Sequence, residues 1–554
     1  MPDMRATRTS SRELSAFSMS RPVATISNSR SLWKKALLVT IALAIWCAIA
    51  WRVVVVFNPG TMLGVFSSDG AIPVLMSNDD RPITIFNLYY YGAGRWGGWP
   101  FLFAQVARRT TGYRWSDQSL FLAQAVSVLL GAMIIAGLSR KDRLTVALIY
   151  LLTICLHGSV SRRFFDISQV YSWQITTLLL AWYCLRRFFS KGSRSTLGLA
   201  AWGLLTLWFS FLSIWSSFAS IPMLFFLFGL EGLWAYLSGK KEREDRLPLR
   251  RYIWAGSLAV VAALAELLMR RNYYRYNLKH FGSDYRTHLA LDVGYLTQNL
   301  ERQLQNFVKY PWWPFCLLGL LFVLAGGFAF LYARKKKDRL AAFRGACADD
   351  LLILIIGSLG IAVINFVLIV LADHVRMNLY DDRYMIPTYL FGSISGLLAV
   401  FMILKLATNQ SIFRTYIRPG FIVAGLVFLT VEFPPQTHSS LYETDKETAV
   451  MLEKMAPRAV LIGGYWQTYV FSGLQSENAL TPVPLEGQTL RTPWTPEALR
   501  VTNQVIVEYR SSSPGWAESP PPKLSQYGTS WRLAEPGWYQ NERYAFALYL
   551  KDER

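Results

Sequence analysis

LLILIIGSLGIAVINFVLIVLA, residues 351–372, carries no charged side chain over a length that crosses the ~30 Å hydrocarbon core of a bilayer as a helix. In lipid every backbone N–H and C=O must be satisfied within the segment, so a run of this kind is read as a membrane helix. Comparable runs on either side predict eleven spans, at 36–57, 118–138, 144–157, 167–185, 197–214, 216–237, 252–269, 312–333, 351–371, 385–406 and 417–432. The 554 residues are 53% apolar and 15% aromatic but only 17% charged. A soluble domain carries about 25% charged residues, so this composition excludes a disordered chain and argues against a cytosolic enzyme. The expected fold is an all-α polytopic membrane protein with about eleven transmembrane helices.

The 57 Lys and Arg against 36 Asp and Glu give a net charge of +21, which by itself would suggest a nucleic-acid partner. Their placement says otherwise. With the N-terminus inside, 29 basic residues fall in the short cytoplasmic segments and 16 in the longer exoplasmic loops before the last span. Clusters such as Arg334-Lys335-Lys336-Lys337 resist translocation, so the excess is a topology signal: N-inside, C-outside, with no nucleic acid. Residues 1–35 are Ser- and Arg-rich and read as a disordered cytoplasmic tail. The region 36–433 is the membrane domain, with long exoplasmic loops at 58–117 and 270–310. Residues 434–554 carry 11 basic and 13 acidic residues, and contain strand-like runs at 459–464, 504–509 and 544–550 and helical spacing at 444–456. They are expected to form a small exoplasmic α/β domain. The five cysteines, Cys47, Cys155, Cys184, Cys316 and Cys347, show no disulfide framework and no metal-ligand spacing.

Polar chemistry accumulates in the exoplasmic loops. FSSDGAIPVLMSNDDRPITIFNLYYYGAGRWGGWPFLF (66–103) holds Asp69 near the membrane surface, then Asp79, Asp80 and Arg81, then Arg95 among glycines and aromatics. Asp69 has a plain alternative as a helix cap or turn residue, and the Tyr and Trp side chains as an interface belt. HGSVSRRFFDISQVY (157–171) brings His157, Arg162, Arg163 and Asp166 within ten residues. Asp166 also suits a helix N-terminus by charge alone. ADHVRMNLYDDRYMIPTYLF (372–391) holds His374, Arg376, Asp381, Asp382, Arg383 and Tyr384 ahead of a span, where a planar guanidinium is well placed to bind phosphate bidentately. In 270–310 seven basic residues against Asp284, Asp292 and Glu301 suggest an anionic partner. Glu231, Glu266 and Arg52 lie near span ends and are expected to snorkel.

Three of these patterns carry a resemblance: SSDGAIPVL followed by YYYGAGRWGGWPFL, FFDISQVY, and DDRYMIPTYLF. With LIGGYWQTYVFSGL (461–474) and the layout of the whole chain, they resemble the polytopic C-type superfamily of glycosyltransferases (GT-C). Its members include protein O-mannosyltransferases and the bacterial aminoarabinose transferase that modifies lipid A. The first loop has Ser-Asp-Gly where the mannosyltransferases have an Asp-Glu pair. The resemblance implies transfer of a sugar from a polyprenyl-phosphate donor to a lipid, glycan or protein acceptor on the exoplasmic face, with inversion at the anomeric carbon. It places Asp69 and Asp166 in the catalytic centre, Asp69 as general base and Asp166 to position the acceptor or to hold an arginine or a divalent metal. Arg95, Arg162, Arg163 and Arg383 would receive the donor phosphate. Asp79, Asp80, His157, His374, Asp382 and Tyr384 are further candidates. A divalent metal ion stays open, since some relatives use one and this chain offers no decisive cage. The expected location is a bacterial inner membrane with the site facing the periplasm. The competing class is a transporter or flippase of a lipid-linked or anionic substrate, which would show charged residues near the bilayer midplane and paired broken helices.

Overall fold

The computed structural model describes residues 66–156, 163–189, 195–238, 249–281, 292–310, 313–333, 350–424, 439–475, 480–484, 495–510 and 520–552, apart from single positions within them, and a few isolated residues elsewhere. The tail 1–35, most of 36–57, the span expected at 417–432 beyond residue 424, the basic cluster 334–337, His157, Arg162 and 511–519 lie outside the described residues. The chain separates into two compact units, 1–49 and 50–554. Everything below concerns the second.

Each of the nine expected spans between 118 and 406 coincides with a helix: α3 (Asp117–Leu138), α4 (Arg143–Leu156), α5 (Tyr171–Phe189), α6 (Thr196–Ser216), α7 (Ser220–Ser238), α8 (Leu249–Phe281), α10 (Trp313–Ala333), α11 (Asp350–Leu371) and α13 (Ile386–Ala407). Among the described residues, five helical stretches are long and apolar enough to cross a membrane: Asp117–Leu138, Thr196–Ser216, Ile253–Lys279, Asp350–Leu371 and Asp382–Ala407. Local chemistry sets the helix starts. Ser116 caps α3 by accepting the Ser119 N–H at 3.1 Å, Ser195 caps α6 through Gly198 at 3.1 Å, and Pro387 sits in the first turn of α13, where its missing N–H is harmless.

Helix α5 is central and less apolar than its neighbours. Its polar side chains face protein, not lipid: Thr176 meets Ser127 of α3 at 3.1 Å, and Gln174 meets Ser220 of α7 at 3.0 Å. Such contacts join helices where no hydrophobic difference between helix and lipid can do so. Close approach supplies the rest. A Cβ on Gly396 of α13 would lie 1.9 Å from the Phe315 carbonyl of α10, so that crossing requires glycine.

Three expectations change. Glu231 and Glu266 do not snorkel; they are 3% and 0% exposed and buried against arginines. The Tyr and Trp of 89–99 do not form an interface belt. Tyr89, Tyr90, Tyr91, Trp96 and Trp99 are buried in one core with Ala71, Ile72, Trp215 and Tyr273. Here these aromatics fill a buried core. Residues 270–310, read as a loop, are mostly helical: α8 runs to Phe281, and α9 (Val293–Lys309) follows, capped by Asp292 through the Tyr295 N–H at 2.9 Å.

The first loop is also built. It contains α1 (Ser68–Ser77), a hairpin of β1 (Tyr89–Tyr90) and β2 (Ala93–Gly97), and α2 (Trp99–Thr111). After α11 come α12 (Asp373–Met377) and a 3₁₀ turn at Asp382–Met385.

At the C-terminus, α14 (Ser440–Met455), β3 (Val460–Gly463), α15 (Tyr465–Gly473), β4 (Thr481–Pro484), α16 (Thr495–Val501), β5 (Gln504–Arg510), β6 (Lys523–Gln526), β7 (Thr529–Gln540) and β8 (Ala545–Lys551) form a mixed sheet ordered β4-β3-β5-β8-β7-β6. Strand β3 runs parallel to β4 and β5, which its helical crossovers require, while β5-β8-β7-β6 are antiparallel. All of Val460–Gly463 is buried, as expected of a strand covered on both faces. Val460, Ile462, Val505 and Trp531 pack on one side, and Leu461, Ile506, Leu452 and Phe471 on the other. Pro482 and Pro484 are tolerated because β4 is an edge.

Candidate active site

Asp69 stands in the first turn of α1, whose N-cap Ser67 accepts the Gly70 N–H at 3.3 Å. Ala71 and Ile72 are fully buried, which fixes the helix and turns Asp69 to its edge. Tyr465 Oη of α15 donates to Asp69 Oδ1 at 3.4 Å, and Tyr90 Oη donates to the Asp69 carbonyl oxygen. Burial first, and the Asp69 charge second, push the Tyr90 phenol well above its usual range, so it remains a donor.

Asp166 is held between the buried Phe164 and Phe165 and the start of α5. Gln124 of α3 donates to the Phe164 and Asp166 carbonyls at 3.0 and 3.1 Å, and Asp166 Oδ1 accepts the Ser168 N–H at 2.9 Å. A Cβ on Gly70 would lie 3.9 Å from Asp166 Oδ1, which places this carboxylate beside the turn that bears Asp69. Burial raises the Asp166 carboxyl to about 6; the Asp69 charge adds to this, and the Ser168 bonds and Arg163 oppose it. Two residues 97 positions apart in sequence thus share one site.

The other expected residues divide into four groups. Asp79 is committed to the loop: it accepts from Arg81 Nε at 2.8 Å and Tyr91 Oη at 2.7 Å, and Asp80 pairs with Arg108 at 2.7 Å at the surface. Arg163 lies between Asp381 (3.2 Å) and Asp382 (3.3 Å), and Arg383 approaches Asp381 at 3.7 Å and donates to Asn378 Oδ1 at 3.1 Å. Tyr310 Oη also donates to Asp382. Two guanidinium groups and two carboxylates therefore compensate one another, around a turn in which Leu379 and Tyr380 adopt φ of 54° and 58°. Arg95 lies on β2; His157 and Arg162 lie outside the described residues.

His374 and Tyr384 line a cavity of about 750 Å³ among α5, α7, α8, α11 and α12. Their rings meet edge-on at 5.1 Å, and the Arg383 guanidinium lies 5.2 Å from the Tyr384 ring. Most of the wall is apolar, and Phe225, Val260, Leu264 and Leu267 expose hydrocarbon on the outer face of the bundle. The polar end adds Arg270, which the sequence reading had counted only as one of seven basic residues. Glu266, one turn earlier on α8, takes its Nε at 2.7 Å and its Nη2 at 2.6 Å, and Tyr89 Oη donates to the same carboxylate oxygen at 3.1 Å. The guanidinium is sandwiched at 5.0 Å from the Tyr89 ring and 5.6 Å from the Phe218 ring. The i, i+4 spacing of Glu266 and Arg270 was the signal available in sequence. Trp96 and Tyr171 form the inner wall of the cavity; Trp96 packs edge-on at 5.8 Å against Tyr90, whose hydroxyl reaches Asp69.

Among the described residues, no group of three or more His, Cys, Asp or Glu side chains could hold a metal ion. Asp69 and Asp166 alone do not make a cage.

No protein-family model and no curated protein matches this chain. Solved structures with a similar arrangement include ArnT from Cupriavidus metallidurans bound to undecaprenyl phosphate, at 13% identity over 93% of this chain and 97% of that one, with a TM-score of 0.45. The Archaeoglobus fulgidus oligosaccharyltransferase in its apo form is similar at 10% identity, 84% and 69% coverage and a TM-score of 0.43. The same archaeal enzyme, AglB, in complex with an inhibitory peptide and a dolichol-phosphate, gives 11%, the same coverages and 0.42.

Proposed function

We propose that this chain is a membrane glycosyltransferase that moves a sugar from a polyprenyl-phosphate donor to an acceptor hydroxyl at the exoplasmic end of the bundle. One observation carries the reading. A mostly apolar cavity has Arg270, His374 and Tyr384 in its lining, and it shares Trp96 with the packing around Tyr90, whose hydroxyl reaches the Asp69 backbone. A lipid phosphate has this division: hydrocarbon needing an apolar groove, and an anion needing a cation at its end.

Asp69 takes the proton from the acceptor hydroxyl as its oxygen attacks the anomeric carbon. The bond from that carbon to the phosphate oxygen breaks, and its electron pair leaves on the phosphate. Arg270 faces the growing charge, held rigid by Glu266 and two aromatic rings, so little reorganisation is needed during reaction. Asp166, beside the turn that bears Asp69, helps to position the acceptor. The Arg163–Asp381–Asp382–Arg383 knot holds the segment that carries His374 and Tyr384. Arg163 and Arg383 keep the phosphate-binding role expected from sequence as part of this proposal, since Arg270, like them, shares its charge with a carboxylate.

The test is transfer by purified protein in nanodiscs from a panel of radiolabelled polyprenyl-phosphate sugars, with membrane extract as acceptor. Asp69→Asn should lower the rate by roughly 10²–10⁴. Transfer that survives this change would remove Asp69 as the base. A translocator of lipid-linked sugars is the second reading, favoured by the charged Glu266–Arg270 pair inside an apolar helix. Movement of labelled lipid across proteoliposomes, with no transfer from any donor, would decide for it.

A further inference from the structure

The C-terminal region has its own buried carboxylate, Glu508 on β5, which the proposed reaction does not use. It lies at the turn where β3 passes into α15. Its Oε2 accepts the Gly464 N–H at 3.0 Å, and a Cβ on Gly463 would come within 2.6 Å of the same oxygen. Only glycine allows that approach. The contact anchors the first residue of α15, Tyr465, which is 7% exposed and packs edge-on at 5.1 Å against Tyr469. At its other end α15 lies directly on α1: a Cβ on Gly473 would come within 2.8 Å of Ala71 Cβ. A second anchor holds the region in place, since Tyr442 of α14 donates to Asp117 at the start of α3 at 2.6 Å. The result is a rigid path from Glu508 to Gly464, to Tyr465, and to the Asp69 carboxylate at 3.4 Å.

We infer that Tyr465 is a positioning residue for Asp69, so that the C-terminal region completes the catalytic centre. A phenol suits this task. It occupies one lone pair of the carboxylate and fixes its direction, leaving another oxygen for the acceptor proton, and unlike a cation it does not neutralise the base. The inference rests on the reading of Asp69 as the base.

The experiment uses the full-length protein in nanodiscs, with ¹³C-labelled aspartate and infrared difference spectra. Asp69→Asn identifies the band of the Asp69 carboxylate. Tyr465→Phe keeps the ring and removes the donor. It should shift that band and lower kcat roughly tenfold, with the donor KM within about twofold of wild type. A band that does not move overturns the inference whatever happens to the rate. A moved band with unchanged kcat overturns the positioning role. If Tyr465→Phe folds poorly, 3-fluorotyrosine at 465, a stronger donor, should move the band in the opposite sense. Activity that survives Asp69→Asn overturns the parent reading and with it the positioning role; the band still reports the contact, so the two failures are told apart.

Discussion

At the scale of residues, the site is a problem of charge. Asp166 is a carboxyl whose burial and neighbouring Asp69 raise it to about 6. The folded state therefore binds its proton more tightly than the unfolded chain. Its ionisation opposes folding increasingly as pH rises from about 4 to about 6, and by a constant amount above that. Two outcomes follow for Asp166→Asn, which keeps an acceptor for the Ser168 N–H. Thermal stability at pH 7–8 should rise, and a step in the transfer rate near pH 6, expected if ionised Asp166 positions the acceptor, should disappear. Melting curves and a pH–rate profile check these together; a step near pH 6 that persists in the variant would belong to another group. Both Asp69 and Asp166 were legible in sequence, because a carboxylate beside a span invites a reason. Arg270 was not singled out: its i, i+4 spacing from Glu266 was the one local mark that set it apart from Arg271 and Arg275, and it was not used. It matters because folding buries it between Tyr89 and Phe218, with Glu266 as its counter-charge.

At the scale of elements, hydrophobic runs were read correctly as helices, but the environment of each helix was not. Helix α5 has polar Ser172, Gln174, Thr176 and Thr177 because it is surrounded by other helices. Helices α10 and α13 meet at Gly396, where a side chain would strike the Phe315 backbone. Gly396→Ala should destabilise the protein by about 1–3 kcal/mol, since the backbone must move apart to admit the methyl group. A lower melting temperature in detergent, without a change in the spectrum of the C-terminal region, would be the observation. An unchanged melting temperature would mean that the crossing is looser than the geometry requires. The Tyr and Trp of 89–99 illustrate the reverse case. Their composition matched an interface belt, while their structure is a packed core that supports Asp69 through Tyr90.

At the scale of the whole molecule, the proposal needs the C-terminal region and the loop 58–117 on one side of the membrane, and the contacts of Tyr465 and Tyr442 require the same. Helix α16 offers a reporter, because Glu497 and Arg500 are largely exposed. With the native cysteines replaced, Glu497→Cys should react with a membrane-impermeant maleimide added outside intact cells, and Lys336→Cys should react only after the membrane is opened. The opposite pattern would invert the topology and move the site to the cytoplasmic face.

Local composition alone determined the helices from 118 to 406 and three of the six C-terminal strands, and it pointed to the candidate carboxylates. Each of these depends on neighbours in sequence: a run of apolar residues must find an apolar surround, and a charge at its edge must find water or a partner. Tertiary structure decided the rest. It joined Asp69 to Asp166 and to Tyr465, which lies 396 residues further on, and enclosed the cavity between helices that are distant in sequence. It also turned Arg163 and Arg383 toward Asp381 and Asp382. The physical reason is that a charge's function depends on which charge lies nearest in space, and in a bundle that neighbour is set by helix packing, to which spacing along the chain is blind.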